Sequence, residues 1–383
     1  MNTYREALPL YHSVNHPVSL GCTGCSDKKP CGGLQVSEAL FDCLSFCCRN
    51  GNSHDHSDCQ LVCRQNVEDY INRHIEVRGW EFDTVPRSGM LRYLKLPSVI
   101  PLLYGRSSRT STLASDAIAV PLEKLFDHVT GRLKFCTKKD LACSFGFDPS
   151  AKLVISGVGR DRVIEYYWTH RKAADLPHQL AQLKPALITV PNYSLFLGVP
   201  REDNLYSMKR IAICWDELAR SGIPTSLHVN ARTDHDWERW TEFIGERNEI
   251  QSIAYEFATG PACLERGKWH TEKLIRLANE VNRNLQIVLR GGYLYLKEIS
   301  EAFTEVVFID TTSYVKTMKR KRLDWKPGQK KHWRSAKTQN GEFVDELLQE
   351  NTDIFRAMLS FQIQKGQFDL PFPFSFRSSK HGD

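Results

Sequence analysis

Eight short apolar runs rich in β-branched residues, most of them followed by a stretch long enough for a crossover helix, constrain this chain more than any other feature. They occupy residues 99–104, 117–122, 153–158, 186–190, 225–229, 250–257, 285–289 and 306–309. Between them, residues 204–221 place Leu205, Met208, Ile211, Ala212, Trp215, Leu218 and Ala219 on one helical stripe that Gly222 ends, and residues 269–282 repeat the pattern. Eight such units in about 215 residues match an α/β fold of the (β/α)8 TIM-like barrel type, expected over residues 97–315. An open doubly wound sheet is the competing architecture. It would carry Gly-x-Gly-x-x-Gly after a strand, and the nearest approach, Gly157-Val158-Gly159, lacks the third glycine.

The two flanks differ in chemistry. Eight of the twelve cysteines fall in the N-terminal flank: Cys22, Cys25, Cys31, Cys43, Cys47, Cys48, Cys59 and Cys63. With glycines at 21, 24, 32 and 33, the pattern is that of a Cys-rich metal-binding module, residues 1–96 with its linker. The irregular spacing favours an iron–sulfur cluster, with zinc as the alternative. A helix is expected over 66–78. The N-terminus has no apolar core of signal-peptide length and no uncharged apolar run approaches the ~20 residues of a membrane span. A reducing, cytoplasmic setting and no membrane partner follow as expectations.

The C-terminal flank, residues 316–383, opens with ten Lys/Arg against the one acid Asp324 in residues 316–337, so the rest of the chain is net negative although the total is +6. Lys319, Arg320, Lys321, Arg322, Lys330, Lys331, Trp333 and Arg334 combine phosphate-neutralising charge with an aromatic ring, as a nucleic-acid partner requires. The bland alternative is a solvated surface segment. Residues 341–364 read as an amphipathic helix docked on the barrel.

In a parallel barrel, reactive groups project from the carboxyl ends of the strands. Those ends carry carboxylates (Asp161, Glu256, Asp310), amides (Asn192, Asn230), His228, Arg290, the pair Gly291-Gly292, and the rings of Tyr104, Tyr193, Tyr293 and Tyr314. Amides and glycine backbone can hydrogen-bond the edge of a base, tyrosines can cover its faces, and carboxylates can attack or stabilise an anomeric carbon. Asp161 also reads as the cap of a helix beginning at Arg162, and His228 as a core histidine. Other barrel chemistries lack their marks: no Cys-x3-Cys-x2-Cys follows the first run, and residues 99–104 hold no histidine.

The stretches Ile155-Ser156-Gly157-Val158-Gly159, Ile188-Thr189-Val190-Pro191-Asn192-Tyr193-Ser194, Asn204-Leu205-Tyr206 to Arg210 and Gly222-Ile223-Pro224 resemble an uncharacterised barrel family of phages, plasmids and defence islands. That family is similar, more remotely, to the tRNA-guanine transglycosylase superfamily, whose barrels bind a base and use an aspartate nucleophile. Antiphage DNA glycosylases, which remove modified cytosines from viral DNA, are its functional association. The resemblance implies Gly291-Gly292 at the base-binding floor, Asp310 as nucleophile or cation-stabilising charge, and Asp161 as general acid or base. The zinc-ligand pattern of the transglycosylases near their C-terminal end has no counterpart here. The expected activity is N-glycosidic cleavage of a flipped, modified base, with DNA favoured over RNA; base exchange on tRNA and non-catalytic nucleic-acid binding are the alternatives.

Overall fold

The computed structural model describes residues 22–33, 59, 61–196, 199–257, 264–338 and 341–365. Eight parallel strands run β1 (Val99–Pro101), β2 (Ala117–Pro121), β3 (Lys152–Ser156), β4 (Leu187–Thr189), β5 (Thr225–His228), β6 (Ser252–Glu256), β7 (Gln286–Arg290) and β8 (Glu305–Asp310). Each pairs with its neighbour in chain order from β2 to β8, and β8 pairs with β1. A single parallel bridge, Leu102 to Ala119, joins β1 to β2 and nearly closes the ring. The result is an α/β barrel, as the spacing of the runs predicts.

Alternation along the strands sorts side chains into two sets. Ile100, Leu102, Ala117, Ala119, Val154, Leu187, Ala254, Val288, Val307 and Ile309 form the inner core. Residues of the other phase, such as Leu103, Val120, Ile155, Leu227, Tyr255, Leu289 and Phe308, pack against the helices. Those helices are α1 (Lys28–Cys31), α2 (Val67–Val77), α3 (Lys138–Phe145), α4 (Asp161–His170), α5 (Leu176–Gln182), α6 (Arg201–Arg220), α7 (Asp234–Gly245), α8 (Leu264–Val281), α9 (Leu296–Ala302), α10 (Thr312–Met318) and α11 (Asp345–Lys365). No described helix is long and apolar enough to cross a membrane.

The connection from β1 to β2 contains no helix. The C-terminal α11 covers that gap. Asp345 accepts from Thr110 N at 2.9 Å and Ser111 N at 3.2 Å, Gln349 accepts from Ala114 N at 2.9 Å, and Phe355 packs on Phe308 of β8. This helix belongs to the barrel shell rather than to a separate arm. The basic segment before it is a two-stranded antiparallel hairpin, β9 (Lys321–Asp324) and β10 (His332–Ser335).

From α2 the N-terminal segment descends along α6 and α7. Phe82 stacks on Trp240 with ring centroids 4.6 Å apart, the buried Lys209 amine donates to Glu81 O and Thr84 Oγ1, and Arg247 donates to Val85 O at 2.6 Å. At the amino-terminal end of the barrel, Tyr93 and Leu96 join the inner core. There the Tyr93 hydroxyl donates to Thr225 O at 2.6 Å and accepts from Thr225 N at 3.2 Å. Ser252 Oγ bridges Ser226 Oγ at 2.9 Å and Gln286 Oε1 at 2.8 Å. Both hydroxyls and the Gln286 amide oxygen in that bridge have partners, so the amino-terminal end is a hydrogen-bonded plug.

Candidate functional site

The strand registers, with the stagger of an eight-stranded barrel, place inward side chains in layers contributed by alternate strands. Leu102, Ser156, His228 and Arg290 share one layer. Pro121, Pro191, Glu256 and Thr311 lie in the next, toward the carboxyl-terminal mouth. Tyr104, Val158, Asn230 and Gly292 rim the opening. Polar groups thus concentrate in the upper lumen, above the small side chains of Ala119 and Ala254.

Glu256 and Arg290 are the charged centre of this region. They are register partners on β6 and β7, with the Glu256 Oε2 to Arg290 Nε distance 3.4 Å. Arg290 also donates to Val158 O at 2.9 Å and to the Tyr104 hydroxyl at 3.3 Å, spanning the mouth from β7 to β3 and β1. A carboxylate that is 3% exposed requires such a counter-charge. Below them, burial and the nearby Arg290 push the His228 imidazole down to about 3, so it is neutral at ordinary pH. Burial raises the Tyr104 phenol, with Arg290 pulling the other way.

The rim contains an amide pair. Asn230 Nδ2 donates to Asn192 Oδ1 at 3.2 Å and to Tyr193 O at 3.1 Å, while Arg232 donates to Asn230 Oδ1 at 3.2 Å. Tyr104 and Tyr314 meet at 5.6 Å between ring centroids, and the Tyr314 hydroxyl donates to Gly105 O at 3.3 Å. Gly291 and Gly292 have φ of +76° and +69°. A side chain at Gly292 would collide with the Phe257 ring, which fixes this turn to glycine.

Three sequence expectations land elsewhere. Asp310 shares the phase of Phe308, facing the helix layer rather than the lumen. One carboxylate oxygen accepts from Thr312 N at 2.7 Å and Ser313 N at 3.1 Å, starting α10. Burial raises its pKa while the Ser313 and Thr312 bonds oppose the shift. Asp310 and Glu256 therefore reach the same end of the barrel but stand on opposite faces of the sheet. Tyr193 is also outward: its hydroxyl meets Cys214 Sγ at 3.7 Å and its ring packs on Trp168. Asp161 is the exposed first residue of α4, its carboxylate bonded by Ser194 Oγ at 2.6 Å, and it lines a flank cleft with Tyr166 and Arg210. Neither the general acid nor the cap follows from that position. Ser156, inward on β3, was not singled out as a site residue from the sequence, where it is one polar residue inside the apolar run 153–158.

The basic hairpin abuts the same rim. Lys331 Nζ lies 3.5 Å from the centroid of the Tyr293 ring, in the turn after β7, and its charge acts on Asp310. Arg320 donates to Glu342 O at 2.6 Å, Lys321 to Ser335 Oγ at 2.8 Å, and Arg322 and Arg334 pair with Glu350 at 3.1 Å and Asp324 at 2.7 Å. Trp333 stands 5.8 Å from the Lys316 amine, while Lys319, Arg322, Lys330 and Arg334 are exposed.

Of the eight N-terminal cysteines, Cys43, Cys47 and Cys48 lie outside the described residues. Cys22, Cys31 and Cys63 are buried, Cys25 and Cys59 partly so. Arg64 donates to Cys25 Sγ and the Gln65 amide to Cys63 Sγ at 3.5 Å. Arg201 hydrogen-bonds the Cys31 sulfur and pairs with buried Asp236 at 2.5 Å. Asp236 in turn accepts from the Arg232 amide at 2.8 Å, which links the cysteine segment to the rim amides. Among the described residues no three His, Cys, Asp or Glu side chains converge as a metal site.

No protein-family model matches the sequence, and no curated protein matches it.

Proposed function

We propose that the protein cleaves the N-glycosidic bond of a nucleotide turned out of its strand into the barrel mouth, acting on a modified base in foreign DNA. The observation that carries this reading is Glu256, a carboxylate 3% exposed on the inner face of the mouth beside Arg290, with a basic hairpin leaning on the same rim. As the bond between C1′ and the base nitrogen stretches, its electron pair leaves with the base and the sugar becomes cationic. A fixed carboxylate at the sugar stabilises that charge more in the transition state than in the ground state. Water then adds to C1′, and its proton ends on the departing base. Of the three carboxylates at the strand ends, Glu256 alone stands on the inner face, so of the two candidates for this role, Asp310 and Glu256, it is the one proposed.

The rim amides Asn192 and Asn230 and the rings of Tyr104 and Tyr314 would hold the flipped nucleotide. Exposed Lys319, Arg322, Lys330 and Arg334 would neutralise the phosphates on either side of it. An iron–sulfur cluster, or zinc in its place, on the cysteine segment would staple that segment to α6 and α7. The Arg64 and Arg201 bonds to sulfur favour a thiolate-type site, but the described cysteines alone do not complete one.

Mass spectrometry of bases set free from a panel of DNAs with natural and modified bases tests the reading. Wild-type protein should release at least one base and leave abasic sites, and Glu256→Gln should lose at least a hundredfold in rate while retaining DNA binding. Equal release by Glu256→Gln refutes the assignment. Incorporation of a labelled free base into tRNA would replace cleavage by exchange, and binding without any product would leave only a nucleic-acid tether.

A further inference from the structure

The layer beneath Glu256 contains two polar atoms that the fold leaves open. Ser156 Oγ on β3 and His228 Nδ1 on β5 are both buried, with no hydrogen-bond partner among the described residues. Ser156 is 1% and His228 2% exposed. Both strands turn these side chains inward, and alternate strands of the barrel put them in the same layer, below the Arg290 guanidinium. Leaving a buried donor or acceptor unmet costs about 1–3 kcal/mol. Two such atoms in one layer of a lumen whose opposite end pairs its hydroxyls point to a ligand.

Their chemistry limits what that ligand is. The imidazole is held neutral, so it offers one donor and one acceptor nitrogen rather than a charge. A serine hydroxyl both donates and accepts. Arg290 already donates to Val158 O and Tyr104, with Nε toward Glu256, so its fork is not presented to an anion. A phosphate or carboxylate would find no unspent positive charge at this depth. An uncharged, planar group with alternating donors and acceptors along one edge would satisfy both atoms.

We infer that Ser156 and His228 are the specificity floor of the barrel mouth, reading the hydrogen-bonding edge of an uncharged heterocyclic base. The inference rests on the base-removing function proposed above and names the residues that select the base. It also gives His228 a role in place of a purely structural one, and adds Ser156 to the site.

The test is equilibrium binding of adenine, guanine, cytosine, thymine and 5-hydroxymethylcytosine as free bases, with thermal unfolding of each variant in parallel. Wild-type protein should bind at least one base, and Ser156→Ala and His228→Phe should each weaken it about tenfold or more. Their unfolding temperatures should stay level or rise, because each change removes a buried unsatisfied atom; a structural role would lower them. His228→Gln, which keeps a neutral donor and acceptor, should retain binding but alter the order of preference among the bases. Failure of wild-type protein to bind any base, or unchanged binding in both Ser156→Ala and His228→Phe, overturns the inference. Base binding that depends on the pair, with no base ever released from nucleic acid, sinks the cleavage reading and leaves the floor standing. Base release with unaltered kcat/KM in both variants does the reverse.

Discussion

The two ends of the barrel lumen are built from similar side chains and treat them oppositely. At the amino-terminal end, Ser226, Ser252, Gln286 and Tyr93 bond one another or the backbone. At the carboxyl-terminal end, Ser156 and His228 keep buried atoms unmatched and Glu256 is held beside Arg290. A closed network stabilises the fold, whereas an open one costs stability and leaves hydrogen bonds for a ligand. On the proposed reading, the closed end serves the barrel and the open end its ligand.

The largest expected effect breaks the charged pair at the mouth. Glu256→Ala should lower the unfolding free energy by about 3 kcal/mol in urea titration, since Arg290 is then left partly buried without its counter-charge. Glu256→Gln should cost less than half as much, because the amide oxygen still accepts from the guanidinium. Equal stability of Glu256→Ala and wild type would show the pair to be solvated, and the mouth no more demanding than a surface.

Next comes the pH dependence that only the open end should show. An unfolded histidine titrates at about 6.5, whereas His228 in the fold is pushed down to about 3. Between these values the unfolded chain binds the extra proton, so this group makes stability fall as pH drops below about 6.5, by up to about 1.4 kcal/mol per pH unit, levelling near pH 3. At pH 5 the loss is about 2 kcal/mol, and His228→Gln should remove that component. The closed end has no such titration: burial pushes the Tyr93 phenol up to about 12, so it stays protonated. An unaltered pH profile for His228→Gln would place the imidazole in contact with solvent.

Disturbing the closed end should be milder and purely structural. Tyr93→Phe strips both backbone groups of Thr225 of their partner and should cost about 1–2 kcal/mol, with base binding unchanged. A loss of base binding in that variant would erase the distinction between the two ends.

The architecture was legible because strand-and-crossover spacing survives in the linear sequence. Six of the seven connections between strands hold the helices the pattern asks for, and the exception, after β1, is a stretch without a helical stripe whose place α11 takes from 235 residues away. Which side of a strand faces the lumen was much less legible. Parallel barrel strands are apolar on both faces, so residues 306–309 give no alternation from which to phase Asp310. Pairing with β7 and β1 settles the phase, and it turns Asp310 toward α10 and Glu256 inward. Tyr193 was misplaced for another reason: it lies beyond the end of β4, where strand alternation no longer applies, and its partners Trp168 and Cys214 are distant in sequence. The basic segment was visible as charge, but its hairpin form depends on the pairing of Arg322 with Arg334 and of Leu323 with Trp333.

The smallest effect asks whether the openness of the mouth extends onto this hairpin. Arg334 is 72% exposed, and its pair with Asp324 at 2.7 Å is a surface ion pair of the kind that contributes under about 1 kcal/mol. Arg334→Ala should therefore leave thermal unfolding almost unmoved. If the hairpin carries phosphate, the same change should reduce the dependence of log affinity on log salt by about one unit for DNA, measured by fluorescence anisotropy between low and moderate salt. Adding Lys330→Ala should take off about one more, without altering which free base binds at the floor. A salt slope that ignores both substitutions would confine recognition to the lumen, and the hairpin would then be a brace for α11 and the β7 turn rather than a track for the strand.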